Sequence, residues 1–258
     1  MLDPSYLNEE GIMMRALLLA ATLVFAQAAV AALPQDYYEV KKVSVRDVTK
    51  KYPVHMNDQV APWDNGSCAP SNTPLNFTFT NAVRMNNGSD ALASIDVMLD
   101  QIINMGKKVW SIVEAGKPVV NVKLNSAHAL PKGLSCWSDL SGWKKPQSKV
   151  YNVAYENAYG MTMVDFTFRV TFTAGGNANG TGAYITNATM MVANLYVFWG
   201  LKFDATVEVP SVFNMGTNDN PIAGMQMNMN WKVDSPITYN EGSETFYISG
   251  QNKIEHLQ

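Results

Sequence analysis

Three stretches of this chain alternate between apolar and polar positions with almost no exception. Val164, Phe166, Phe168, Val170 and Phe172 are interleaved with Asp165, Thr167, Arg169, Thr171 and Thr173. Leu201, Phe203, Ala205, Val207 and Val209 alternate with Lys202, Asp204, Thr206 and Glu208. Met225, Met227, Met229, Trp231 and Val233 alternate with Gln226, Asn228, Asn230 and Lys232. A period of two sends successive side chains to opposite faces. Each stretch therefore predicts a strand with one buried and one wet face, as in antiparallel sheet. Shorter runs repeat the pattern: Val43–Arg46, Leu75–Thr80, Val120 to Leu124 and Tyr151 to Tyr155, with Phe246 and Ile248 marking a last strand. The denser run Met190 to Trp199 reads as a strand buried on both faces. Gly175 to Gly182 has the Gly/Asn chemistry of a hairpin tip.

One segment carries a different period. Leu92, Ile95, Leu99, Ile102, Val109 and Val113 fall at three- and four-residue steps, with Asp96, Asp100, Asn104 and Lys108 opposite. Ser89 is placed as N-cap, and Gly116 and Pro118 as terminators. The spacing predicts a long amphipathic helix from about Asp90 to Ala115, packed against the sheet. Gly106 on its apolar side would permit a close approach or a bend.

The N-terminal region changes the compartment. Met14-Arg15 precedes the apolar run Ala16 to Ala26, followed by Ala26-Gln27-Ala28 and Ala29-Val30-Ala31. A short cation, an apolar core and small-residue triplets make a secretory signal peptide, 1–31. Asp3, Glu9 and Glu10 are out of place in such a leader, which points to a start at Met13 or Met14. An uncleaved anchor is the alternative, but Ala16 to Leu33 is Ala-rich and broken by Gln27. A spanning helix needs roughly 20 strongly apolar residues. The remainder, 32–258, is long enough for one β-rich domain. The Ala-rich leader suits a bacterial envelope or secreted protein, so the five Asn-x-Ser/Thr sequons carry little weight.

Charge and cysteine content narrow the partners. Only 16% of residues are charged and the net charge is −3, with no basic run, which argues against nucleic acid. Cys68 and Cys136 are the two cysteines. In an oxidising compartment a disulfide is expected, two buried thiols being the alternative.

No catalytic or metal motif survives inspection. Gly175 and Gly180 have phosphate-loop spacing, but Thr181 stands where the Lys belongs. Gly133-Leu134-Ser135 lacks the closing Gly of a nucleophile elbow. His55 and His128 lie in expected loops, and His256 near the chain end is expected to be mobile. Asp64-Asn65-Gly66 and Asn214 to Asn220 read as turns before they read as calcium loops. The aromatics are more suggestive. Trp63, Trp137, Trp143, Tyr151 and Tyr155 are candidate binding residues, although a satellite core over the disulfide would use the same side chains.

The expected fold is a single-domain antiparallel β-sandwich or curved sheet with the one long helix packed against it. A transmembrane barrel fits less well, because the wet faces are polar. The expected function is non-enzymatic binding of a small molecule or an envelope protein, in the periplasm or outside the cell. No cofactor, metal or nucleic acid is expected, and no integral membrane segment after cleavage. The alternative is a glycan or lipid hydrolase using carboxylates such as Asp139, Asp165 or Asp204.

Overall fold

The computed structural model describes residues 35–52, 68, 71–80, 95–119 and 125–257. The chain divides into two units, Met1–Tyr37 and Tyr38–Gln258. Of the first, only the 3-10 turn Gln35–Tyr37 is described. The expected signal peptide therefore lies outside the described residues, as does the expected strand Val120 to Leu124.

The second unit is built from strands. They are β1 (Val40–Asp47), β2 (Leu75–Thr78), β3 (Ile95–Asn104), β4 (Val109–Glu114), β5 (Lys117–Pro118), β6 (Ala127–Lys132) and β7 (Gln147–Asn157). Then follow β8 (Thr162–Ala178), β9 (Thr181–Val197), β10 (Lys202–Asn214), β11 (Ala223–Asp234), β12 (Tyr239–Ser249) and β13 (Lys253–Leu257). The first sheet runs β1-β7-β8-β9-β6-β3-β2 and the second β13-β12-β11-β10-β4-β5. Every pairing is antiparallel except β2 with β3. Among the described residues no helix is long and apolar enough to cross a membrane.

The long amphipathic helix is absent; its residues are β3 and β4. The described part of that segment contains Ile95, Val97, Ile102, Ile103, Val109, Ile112 and Val113, all β-branched and suited to strands. Within it, Val97 and Leu99 are buried two apart, as are Trp110 and Ile112. Gly106 breaks the pattern between the strands. A Cβ there would sit 2.2 Å from the Ser126 carbonyl oxygen. Asn104 closes the corner, its Oδ1 accepting from the Gly106 N–H at 2.9 Å. Pairing with β6 and β10 overrides local helix spacing. Asp90 to Ser94 lie outside the described residues. His128, expected in a loop, lies within β6 instead.

The alternating strands behave as their pattern demands. Phe166 and Phe168 of β8 face Phe203 of β10 and Phe246 of β12, with ring centroids 5.0 Å and 5.8 Å apart. These contacts join the inner faces of the two sheets. Phe166, Phe168, Phe172, Phe203 and Phe246 are completely buried, each such ring contributing roughly 1.5–3 kcal/mol. The Trp231 indole N–H donates to the Tyr155 hydroxyl at 2.7 Å, a polar link between the sheets. At the far end β8 and β9 form a hairpin whose two loop residues, Asn179 and Gly180, both have positive φ. That is the mirror-image turn that Asn-Gly favours.

Met190 to Trp199 is not buried on both faces throughout: Tyr196 and Trp199 are exposed. Cys68 and Cys136 are disulfide-bonded, with Cα atoms 4.8 Å apart, closing 68 residues of sequence.

Candidate functional site

Ser111 of β4, Asp204 and Thr206 of β10, Asn230 and Lys232 of β11 and Glu241 and Ser243 of β12 face away from the core. Register sorts them into rows across the second sheet. In one row Asp204 stands opposite Lys232, and Lys232 opposite Glu241. In the next, Ser111, Thr206, Asn230 and Ser243 follow one another across four strands. The sheet is hollowed here into an open groove of about 630 Å³, lined by both rows together with Glu114. On the core side of β12, Gly242 makes room for the Trp231 ring, from which a Cβ there would lie 2.5 Å.

Few groove side chains are consumed by one another. The Ser243 hydroxyl donates to Asn230 Oδ1 at 2.6 Å. Asp204 Oδ1 accepts from the Ala115 N–H at 2.7 Å, which leaves Oδ2 for other donors. Among the described residues Lys232 forms no ion pair within 4 Å, although carboxylates flank it on both strands. Tyr239 begins β12 on the same face, two residues before Glu241. It is 57% exposed, and its hydroxyl donates to Glu241 Oε2 at 3.1 Å. That hydrogen bond, with the Glu241 and Asp234 charges, raises the phenol above its ordinary pKa and keeps it neutral.

No family model, curated protein or solved structure matches this chain. The site must be weighed on its chemistry alone.

The two described histidines are engaged elsewhere. Burial pushes His128 on β6 down to about 4, so it is neutral at pH 7. Its Nδ1 accepts the Asn187 N–H at 3.3 Å. The proton therefore sits on Nε2, which donates to Ser126 Oγ at 3.3 Å. In that tautomer His128 has no lone pair toward Ser126 and cannot serve it as a base. His256, expected to be mobile, is a member of β13. It pairs with Glu244 and stacks on Phe246 at 4.9 Å, closing the edge of the core beside Tyr151. Burial, with the Asp47 and Glu244 charges, pushes the Tyr151 hydroxyl up to about 12. His55 lies outside the described residues. Among those described, no group of three His, Cys, Asp or Glu could hold a metal ion.

Of the aromatics singled out from the sequence, the four described ones fall in two places. Tyr151 and Tyr155 are buried between the sheets. Trp137 and Trp143 meet edge to face at 6.3 Å beside the disulfide, and Gly176 lies directly under the Trp143 ring. Trp63 lies outside the described residues. The carboxylates are separated too. Asp165 and Asp204 project from the outer faces of opposite sheets, because their neighbours Phe166 and Phe203 touch in the core. Asp139 accepts from the Ser71 N–H at 3.3 Å in a short turn. Asn214 Oδ1 is occupied by the Gly216 and Ile222 N–H groups, so that loop is a self-bonded turn.

The sequence marked Asp204 and Lys232 as wet-face residues but did not reach Glu241 or Tyr239. The Tyr239/Glu241/Ser243 alternation opposite the strand at 225–233 was the available signal.

Proposed function

We propose that this is an exported, non-enzymatic binding protein that holds a polar ligand on the outer face of its second sheet. The groove carries the reading. It has the volume usual for a small-molecule site, and it presents carboxylate, ammonium, hydroxyl and amide groups on neighbouring strands. The leader-like N-terminus and the disulfide support a location outside the cytoplasm.

One observation favours hydrolysis as a second reading. Asp204 and Glu241 share a face two strands apart, a spacing of about 10 Å, near that of inverting glycosidases. Hydrolysis further needs a carboxylic acid kept protonated in an apolar setting. Here Lys232 stands between the two carboxylates on an open face, which suits binding better.

The test is thermal unfolding of the purified protein with panels of oligosaccharides, peptides and polyamines. A ligand that binds only the folded state raises the midpoint. At least one class is expected to raise it for the wild type and not for Thr206→Arg, which fills the groove. No shift with any class, or an equal shift in the variant, refutes the groove. Turnover of glycosides that is lost in Asp204→Asn or Glu241→Gln would replace binding with hydrolysis.

A further inference from the structure

We infer that the ligand of this groove is a short neutral or amino-substituted oligosaccharide, with Tyr239 as the platform for one sugar ring. The inference rests on the groove being the binding site, and it follows by elimination from what the groove offers.

A peptide that binds by adding a strand needs a free sheet edge. Such edges lie at the rim of the groove and not over it. Among the described residues β13 pairs with β12 only at 245–249 and β5 with β4 only at 113–114. A strand added to either edge would extend the sheet beside the groove, while the backbone of β10 and β11 beneath it is paired on both sides. Recognition must come from side chains. A purely apolar ligand would desolvate Asp204, Lys232 and Glu241 without compensation. An anion would meet Glu114, Asp204 and Glu241 against the single ammonium of Lys232. What remains is a molecule rich in hydroxyl groups that carries no negative charge.

The rows match such a molecule. Carboxylates and amide oxygens accept from hydroxyls, while Lys232 and the Asn230 amide donate to ring and hydroxyl oxygens. Ser111, Thr206, Asn230 and Ser243 extend this across four strands, about 14 Å from first to last, enough for a short oligosaccharide laid across the strands. Tyr239 completes the set. Sugar rings carry an apolar C–H face, and an exposed phenol ring tethered through Glu241 offers a flat partner that is already ordered. The same carboxylates would hold the ammonium of an amino sugar.

The experiment is a backbone amide NMR titration of the full chain with four tetrasaccharides and one control. The saccharides are N-acetylglucosamine tetramer, glucosamine tetramer, cellotetraose and tetragalacturonate; the control is spermidine. One or more of the first three is expected to shift the Asn230, Lys232, Glu241 and Gly242 amides, and tetragalacturonate is not. Tyr239→Ala should weaken that binding about tenfold, the value of one aromatic contact, with its other amide positions unmoved. If spermidine alone shifts the groove amides, the groove stands as the site and the saccharide is wrong. If nothing shifts them, both fail. Tighter binding of tetragalacturonate than of the neutral sugars, or a Tyr239→Ala variant that binds them undiminished, also overturns the inference.

Discussion

The outer faces of the two sheets begin from nearly the same sequence pattern and end as different surfaces. On β8 the outward residues include Asp165, Thr167 and Arg169; on β10 they are Asp204, Thr206 and Glu208. In the first sheet these positions are bonded to their neighbours. Asn152 donates to Asp165 at 2.6 Å and to Thr167 at 3.0 Å, and Arg169 donates to Ser148 at 3.2 Å. Thr167 is 1% exposed. In the second sheet Asp204, Lys232 and Glu241 line a groove, and the ammonium has no bonded carboxylate partner among the described residues. Polar alternation thus marks a face as not core. Whether that face is structural or available is decided by cross-strand pairing, where an amide opposite a hydroxyl saturates both.

The widest separation between the faces should come from adding a charge. Thr167→Asp places a second carboxylate beside Asp165 in a buried position, and it should cost about 3–5 kcal/mol or prevent folding. Thr206→Asp on the other sheet should cost at most about 1 kcal/mol. Equal denaturation midpoints for the two variants would erase the distinction.

Acid should act next, and through the first sheet. His128 is held neutral down to about 4, whereas the unfolded residue takes a proton near 6.5. As pH falls through that window the unfolded state binds a proton that the folded state refuses, so stability is lost. The loss should approach about 3 kcal/mol by pH 4, and it is fully recovered above pH 6.5. Urea midpoints between pH 7 and pH 4 should therefore fall for the wild type and flatten in His128→Gln, once other carboxylate effects common to both are subtracted. A parallel fall in both would show that His128 is not the source.

Removing an amide separates the faces less. Asn152→Ala strips a donor from Asp165 and from Thr167, and about 1–2 kcal/mol of stability should go with it. Asn230→Ala removes an acceptor from the exposed Ser243 hydroxyl, which water replaces, for about 0.5 kcal/mol or less. Chemical denaturation of the pair measures both, and a reversed order would place the structural network on the second sheet.

How far this could be read from sequence depends on the range of the interaction that decides each feature. The strands at 164–172, 201–209 and 225–233 were legible, because period-two alternation over nine residues has no helical reading. Residues 95–114 were not, since Asp96, Asp100, Asn104 and Lys108 are four apart and so satisfy a helical period as well. Partners distant in sequence, β6 and β10, decided between the two. The groove was half legible. Asp204 and Lys232 were visibly on a wet face, but that they stand opposite each other, with Glu241 beyond, is a matter of register, which no local pattern reports. His256 was misjudged for the same reason: its place opposite Phe246 is set by pairing of β13 with β12.

The smallest expected effect tests the groove most directly. Lys232→Met keeps the length and apolar stem of the side chain and removes only the charge. An exposed ammonium between two solvated carboxylates contributes little to stability, about 0.5 kcal/mol or less in either direction, because solvent screens the pair. The denaturation midpoint should therefore hardly move. Binding should respond differently. Without Lys232, the facing carboxylates Asp204 and Glu241 are no longer balanced, so the groove becomes more negative. Affinity for an amino-substituted oligosaccharide should rise relative to its neutral counterpart, and the gap should narrow as salt is added. A variant that loses stability by several kcal/mol would make Lys232 a structural residue and the two outer faces alike. An unchanged ratio between amino and neutral sugars would mean that the charged row does not touch the ligand.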